Sequence, residues 1–477
     1  MNAFVGLVYL VSAMMFIFGI KRLSKVKTAR SGNHLAAGAM GVAILGTLLE
    51  MDGIDAGWVI VGVLIGASVG AYAALKVEMT AMPEMVALFN GFGGAASGLV
   101  PLAVYWQDYV SREGPSATVA EVMSTGEAIT IILSVLIGAI TFTGSIVAFL
   151  KLQGHEIVKK GNPILLPNRH YINLGIAVGA LFFAWIFGFV SANAAFSTFG
   201  LFVLSVGALA LGILLVIPIG GADMPVVVSL LNSYSGVAAS MAGFVIGNPL
   251  LIVGGALVGA SGLILTNIMC VAMNRSLLNV LVGGFGQDGG GGGGGGSSEY
   301  QNVTSSGPEE AAMVLEAASS CIIVPGYGLA VAQAQHSIRE LADTLKARGV
   351  KVSYAIHPVA GRMPGHMNVL LAEADVPYEE LVEMDDINSE FKNTDVVIVL
   401  GANDVVNPDA IDDKSSPIYG MPILNAHEGR TVFVIKRSLS PGYAGIKNPL
   451  FERDNSMMLF GDAKKMVQDL LREVKEL

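Results

Sequence analysis

The sequence predicts an all-α polytopic membrane bundle followed by a Rossmann-like α/β domain on a doubly wound parallel sheet. Three observations carry that expectation: nine long apolar stretches, a run of eight glycines from Gly289 to Gly296, and alternating helix and strand patterns beyond the run. The chain therefore changes solvent once. Of its 477 residues 53% are hydrophobic and only 14% charged, against about 25% charged in an ordinary soluble protein. With a mean hydropathy of +0.62, the apolar excess has to face lipid. A net charge of −10 argues against nucleic acid, whose binders carry a basic footprint.

The apolar stretches lie near 4–20, 34–50, 56–75, 83–105, 126–152, 170–188, 196–217, 225–246 and 249–272. Each suits a bilayer core, which takes about 20 helical residues. The first has no basic region before it and Lys21 and Arg22 after it, so it reads as a retained helix with its N-terminus outside. Inner loops then hold Lys21, Arg22, Lys25, Lys27, Arg30, Lys76, Lys151, Lys159, Lys160, Arg169 and Arg275, and outer loops hold Arg112. Positive charge sorts to the inside. An odd number of crossings delivers the C-terminal domain to the cytoplasm.

Small residues recur at spacing four: Gly62, Gly66 and Gly70, then Gly94 and Gly98, then Gly255 and Gly259. Such ridges let helix backbones approach closely in lipid. Asn90, Asn232 and Asn267 sit within spans at a depth of about 8–11 Å, counting about 1.5 Å per residue. Two readings stand side by side: one shared polar cavity, or separate interhelical hydrogen bonds. The ionisable residues Glu50, Glu84, Glu127, His34 and His170 all fall at span ends. Intramembrane charge marks proton relays, so a proton path here needs a partner subunit or ordered water.

Beyond the glycine run the pattern gives a helix over 309–319, the strand Cys321 to Val324, a glycine turn, and a helix over 329–347. Strands follow at 350–356, 395–400 and 431–435, and a C-terminal helix at 462–474. The expected domains are a membrane domain over 1–284, a flexible glycine-rich linker over 285–308 and a nucleotide-binding domain over 309–477. Polyglycine behaves as a flexible coil, so a hinge is expected at the run. Cys270 and Cys321 read as two buried small hydrophobes rather than a disulfide or a metal cluster.

Four loops follow strands: Gly326-Tyr327-Gly328, Ala360-Gly361-Arg362, Gly401-Ala402-Asn403-Asp404 and Lys436-Arg437. Open α/β sheets bind ligands beyond the carboxyl ends of their strands. The glycine turn alone is a weak signal, because Val331 occupies the third fingerprint position. The end of the second strand, His357-Pro358, offers no carboxylate for a ribose 2′-hydroxyl. Lys436, Arg437 and Arg362 match a 2′-phosphate in charge and donors, which favours NADP over NAD. The plainer alternative is that these cations are simply solvated.

Gly326-Tyr-Gly328, Gly361-Arg-Met-Pro-Gly-His-Met-Asn368, Gly401-Ala-Asn-Asp404, and Lys436-Arg-Ser438 with Gly442-Tyr-Ala444 resemble the NADP(H)-binding domain of the proton-translocating nicotinamide nucleotide transhydrogenase family. In the membrane half, Ala222-Asp-Met-Pro-Val-Val-Val228, Leu231-Asn-Ser-Tyr-Ser-Gly236 and Met273-Asn-Arg-Ser276 are similar to the same family. The resemblance runs nearly end to end and matches the beta subunit.

The resemblance implies hydride transfer between NAD(H), held by an alpha subunit, and NADP(H), held here, coupled to proton movement. It implies a multi-pass protein of the bacterial inner membrane, assembled as a dimer of alpha-beta units. Cofactor contacts are implied at Gly326, Tyr327, Gly328, Ala330, Val331, Ala360, Gly361, Arg362, Met363, Gly401, Ala402, Asn403, Asp404, Lys436, Arg437, Ser438, Gly442, Tyr443 and Ala444. No metal is implied. Coupling and the proton path fall to Asp404, Asn90, Asn232, Asp223 and Arg275, although charges at helix ends also serve simply as interface anchors.

Some members of the family carry a proton-linked histidine where this chain has Asn90. Asparagine does not titrate, so the expectation moves to a histidine on an alpha-subunit helix. A rival class, a channel or transporter gated by a cytoplasmic dinucleotide sensor, shares the layout. The chain has no filter segment of the TVGYG kind and lacks the acidic residue after the second strand.

Overall fold

A computed structural model describes residues 3–23, 25–50, 56–111, 119, 123–161, 163–190, 194–221, 223–274, 276–283, 300–442 and 444–477. The chain divides into two compact units, Met1–Thr266 with Val280–Phe285, and Asn267–Asn279 with Gly286–Leu477. The glycine run and the hinge expected there lie outside the described residues, as do Arg275 and Tyr443.

Among the described residues nine helices are long and apolar enough to cross a membrane. They are α1 (Ala3–Leu23), α2 (Val26–Glu50), α3 (Ala56–Lys76), α4 (Met82–Val104), α5 (Thr125–Leu152), α6 (Arg169–Phe189), α7 (Ala194–Val216), α8 (Met224–Val245) and α9 (Pro249–Ala272). All match the predicted spans to within a few residues except α2, which starts eight residues before 34. Hydropathy reports where a helix is apolar, whereas backbone hydrogen bonding continues through Thr28, Arg30 and Ser31. Termini follow local chemistry. Ser124 Oγ accepts the Glu127 N–H at 3.2 Å while Glu127 Oε2 accepts the Ser124 N–H at 2.8 Å, a capping box that starts α5. Prolines open α4 and α8, where a missing N–H costs no helical bond.

Two of the predicted glycine ridges are helix crossings. A methyl group on Gly138 of α5 would lie 2.7 Å from the Gly94 carbonyl of α4. One on Gly255 of α9 would lie 2.6 Å from the Gly236 carbonyl of α8. The ridge Gly62, Gly66 and Gly70 differs, for among the described residues nothing lies within 4 Å of a methyl at any of them.

The second unit carries α10 (Pro308–Glu316), β1 (Ser320–Pro325), α11 (Tyr327–Val331), α12 (Gln335–Ala347), β2 (Lys351–Ile356), α13 (His366–Glu373), β3 (Leu381–Glu383), β4 (Val396–Leu400), β5 (Thr431–Lys436), β6 (Ser456–Phe460) and α14 (Ala463–Glu476). The strands form one parallel sheet in the order β3-β2-β1-β4-β5-β6. That is the order of a dinucleotide-binding sheet, with its switch point between β1 and β4. Ile322, Val324, Val397, Val399, Val432 and Val434 face one layer, which Phe391, Leu424 and Phe451 cover. The other layer holds α12, with Ile338, Leu341, Ala342 and Leu345 buried, and α14, with Val467, Leu470, Leu471 and Val474 buried. Both stripes follow the helical period.

The sequence misses two strands and joins two helices. β3 is only three residues long, and β6 reads Ser-Met-Met-Leu-Phe without a β-branched residue. The helix expected over 329–347 is α11 and α12, separated at Gln333, whose φ is +48°. The outer edge of β6 is covered in turn. Met458 N donates to the Thr304 carbonyl at 2.8 Å, and Ser306 N donates to the Met458 carbonyl at 3.0 Å. Residues that the sequence assigns to the linker therefore protect an open sheet edge.

Candidate functional site

The carboxyl ends of β1, β4, β5 and β6 surround a cavity of about 500 Å³. Its floor is two interlocked turns. Gly326 N donates to the Leu400 carbonyl at 2.9 Å, and Gly328 N donates to the Gly401 carbonyl at 2.9 Å. A methyl on Gly326 would lie 2.5 Å from the Ala402 backbone, and one on Gly328 would lie 2.6 Å from Gly401 Cα. Gly401 itself has φ +66°, a conformation that glycine adopts without strain. The glycines of the first turn thus serve the packing of β1 against β4 at the switch point.

Of the predicted cofactor residues, Gly326, Tyr327, Gly328, Val331, Ala360, Gly361, Gly401, Ala402, Asn403, Asp404, Lys436, Arg437, Ser438 and Gly442 line this cavity. Ala330 is buried beneath it, and Met363 and Ala444 do not line it. Arg362 does not line it either, because its guanidinium stacks 4.6 Å from the centre of the Tyr327 ring. Gly361 has φ +106°, and a methyl there would lie 2.7 Å from His366 Cβ. The Arg362 N–H donates to His366 Nδ1 at 3.0 Å, which leaves the ring proton on Nε2 whenever this histidine is neutral.

The sequence misses Val359, Val405, Ile435, Ser440, Pro441 and the Gly461-Asp462-Ala463 turn, all of which line the cavity. Asp462 caps α14, accepting from Lys464 N at 3.1 Å and Lys465 N at 3.3 Å. Recognising β6 as a strand would have found it, since the turn follows that strand as the other loops follow theirs.

Charge is arranged unevenly round the cavity. Burial lowers Lys436 to about 8, with the Asp404 carboxylate opposing the shift. Asp404 Oδ2 accepts the Ala444 N–H at 3.0 Å. Arg437 and Ser438 are exposed beside Lys436. At the end of β2, His357 is buried, and burial lowers it to about 4 against a bond to the Pro422 carbonyl. Its Nδ1 accepts the Val359 N–H at 3.3 Å, so Nε2 donates to the Pro422 oxygen at 2.9 Å. Cys321 sits buried in β1 with its thiol pushed up to about 12 by burial, as befits an inert core residue.

The residues expected on a proton path are spread over the helices. Asn90 is buried and its Nδ2 donates to Ser145 Oγ on α5 at 3.0 Å, an interhelical bond. Asn232 and Asn267 are exposed along α8 and α9. Among the described residues no hydrogen bond joins any two of the three. Asp223 is buried, next to the start of α8.

A family model described as NAD(P) transhydrogenase beta subunit matches residues 5–473. The chain belongs to this family. The NAD(P) transhydrogenase subunit beta of Rhodospirillum rubrum is 49% identical over 464 residues, covering 97% of this chain and 97% of the relative. The subunit from a named strain of that organism matches equally, at 49% over 464 residues. Membership of the transhydrogenase beta subunit family agrees with the resemblance carried by the glycine turns and the membrane motifs. The nine apolar helices and the parallel sheet are thus the two halves of a transhydrogenase beta subunit.

Proposed function

We propose that the chain is the NADP(H)-binding, proton-translocating subunit of a transhydrogenase. It couples hydride transfer between NAD(H), on an alpha subunit, and NADP(H) to proton movement across a bacterial inner membrane, typically NADH + NADP+ to NAD+ + NADPH. The observation that carries the proposal is the cavity that has Lys436 and Arg437 on its wall and no carboxylate at the end of β2. A ribose 2′-phosphate suits those cations, and a free 2′-hydroxyl finds no carboxylate acceptor just after β2.

The cavity beyond the carboxyl ends of the strands has Lys436, Arg437 and Ser438 on its wall, so the residues fit the cofactor. When bound, NADP(H) supplies the hydride chemistry. The chain's own residues orient it and exclude water: Gly326 to Gly328, Gly361 and Gly401 to Asp404 form the base of the cradle. Lys436, Arg437 and Ser438 hold the phosphate end, and Gly442 closes a side. Arg362 and Tyr327 act as a stacked pair, and Ala330 and Met363 support the fold of the turns. Asp404, on the cavity wall, couples its protonation to the bound nucleotide in this proposal. In this proposal the membrane domain covers 1–284 and the nucleotide domain 309–477, with the glycine-rich segment between them.

In the membrane half, Asp223 and Arg275 form the relay between helices and soluble domain in this proposal, with Asn90 and Asn232 beside the proton path. The titratable group comes from a histidine on an alpha-subunit helix, and the complex is a dimer of alpha-beta units with the C-terminal domain in the cytoplasm. Two measurements on the alpha-beta complex test this. NADPH binds at micromolar concentration or tighter and NADH far more weakly; equal affinities sink the assignment of Lys436 and Arg437. In reconstituted vesicles, pumping disappears when the alpha subunit lacks every membrane histidine; retained pumping refutes the histidine assignment.

A further inference from the structure

Tyr300 is the first described residue beyond the glycine run, and it is anchored on several sides. Its phenolic oxygen accepts the Asn448 N–H at 3.1 Å. Its ring lies 6.0 Å from the Phe451 ring, and Lys447 Nζ lies 4.9 Å from its centre. The next residue is held as well. Gln301 N donates to Glu452 Oε1 at 2.6 Å, and Lys447 Nζ pairs with Glu452 Oε2 at 2.6 Å. Burial works against the Glu452 charge, yet the bonds from Lys447 and Gln301 hold its carboxyl below the usual carboxylate range. Two consecutive residues are clamped to the segment 447–452.

That segment backs the cavity. Asn448 is fully buried, and its Nδ2 donates to the Asn403 carbonyl at 3.1 Å, fixing the turn beside Asp404. Phe451 is fully buried, and Lys436 Nζ lies 5.0 Å from the centre of its ring. Tyr300 does not line the cavity. It nonetheless reaches the β4 wall through Asn448 and the β5 wall through Phe451, one side chain away in each direction. Covering the edge of β6 does not require these contacts, because Thr304 and Ser306 already do so.

We propose that Tyr300 is a positioning residue for the nucleotide cavity, setting Asn403 through Asn448 and Lys436 through Phe451. A pull on the chain at Tyr300 then changes affinity for the phosphate-bearing nucleotide, and by reciprocity bound nucleotide stiffens the point where the linker enters the domain. The inference rests on reading the cavity as the NADP(H) site.

The test uses the whole alpha-beta complex in detergent, with Tyr300→Phe, Tyr300→Ala and Lys436→Ala. NADPH Kd, KM and kcat for NADP+, and thermal stability are measured together. Tyr300→Phe keeps the ring and loses one hydrogen bond, so Kd and KM rise about three- to tenfold. Tyr300→Ala loses both arms and raises them further, while kcat per folded complex stays within about twofold. Lost stability or kcat with unchanged Kd and KM gives Tyr300 a purely structural role and overturns the inference. If Lys436→Ala weakens NADPH binding and Tyr300→Ala does not, the inference falls while the cavity reading stands. If Lys436→Ala leaves NADPH binding unchanged, both fall.

Discussion

Asp404 and Gly442 occupy adjoining space so closely that a methyl on Gly442 would lie 2.7 Å from the Asp404 carboxyl carbon. The same carboxylate holds the Ala444 N–H, so the loop after β5 is fastened to the turn after β4. Gly442→Ala must push the carboxylate aside and release that bond. Stability falls by about 1–3 kcal/mol, the range for breaking a packed polar contact. NADPH affinity falls at least about fivefold, read by titration of the complex. Unchanged affinity would show that the loop can close without this contact.

Lys436 makes nucleotide binding depend on pH. Burial lowers its ammonium to about 8. Below that value the buried charge is present in full; as pH rises from about 8 toward 10.5 the folded protein sheds the proton before an unfolded chain does, so stability rises over that window. Phosphate binding favours the charged lysine, so NADPH affinity moves the other way and weakens as pH passes 8. Titrations from pH 7 to 9.5 check this. Lys436→Arg flattens the profile, because a guanidinium stays charged throughout.

His357 sets an acid limit. Its ring, lowered by burial to about 4, is neutral in the folded domain while an unfolded histidine is protonated below its ordinary 6.5. Its contribution is complete above pH 6.5 and is lost as pH falls through about 4, at most about 3 kcal/mol. Unfolding curves between pH 4 and 7 should flatten in His357→Gln. An identical slope in that variant would assign the acid sensitivity elsewhere.

The helix crossings discriminate between glycines that look alike. Gly236→Leu drives a side chain into the Gly255 backbone, 2.8 Å from a mere methyl, and the membrane half fails to accumulate. A methyl on Gly66 meets no described atom of this chain within 4 Å, so Gly66→Leu is expected to be tolerated. Its folded yield as an isolated subunit stays at the unmodified level, measured by fluorescence-detected size exclusion. Equal losses from both substitutions would mean that close approach at Gly236 is not what holds α8 to α9.

Nearly all of the fold was legible because its signals are local. Apolar runs mark the nine helices and four of six strands, and glycine turns mark where β1 and β4 end. Counting along the spans gives Asn90, Asn232 and Asn267 one expected depth. Which way each amide points depends on helix rotation, fixed by contacts far apart in sequence, and there Asn90 turns inward to Ser145 while Asn232 and Asn267 turn outward. Asp462 escaped for a related reason. Its place at the cavity follows from β6 pairing beside β5, which no residue within five positions announces. Arg362 fits the same lesson, since its stacking on Tyr327 joins the loops after two different strands.

The interlocked turns at the head of β1 and β4 bear on how such a chain diverges. Gly326 and Gly328 on one strand, and Gly401 and Ala402 on the other, occupy a single volume that holds two backbones and no additional carbon. A side chain gained at either turn requires the opposite backbone to withdraw, and that backbone is itself bonded into the sheet at Leu400 and Ile435. A single substitution at either turn therefore disturbs both strands at once. The four residues act as one joint constraint, so exchanging any of the glycines should alter the connections after both strands together.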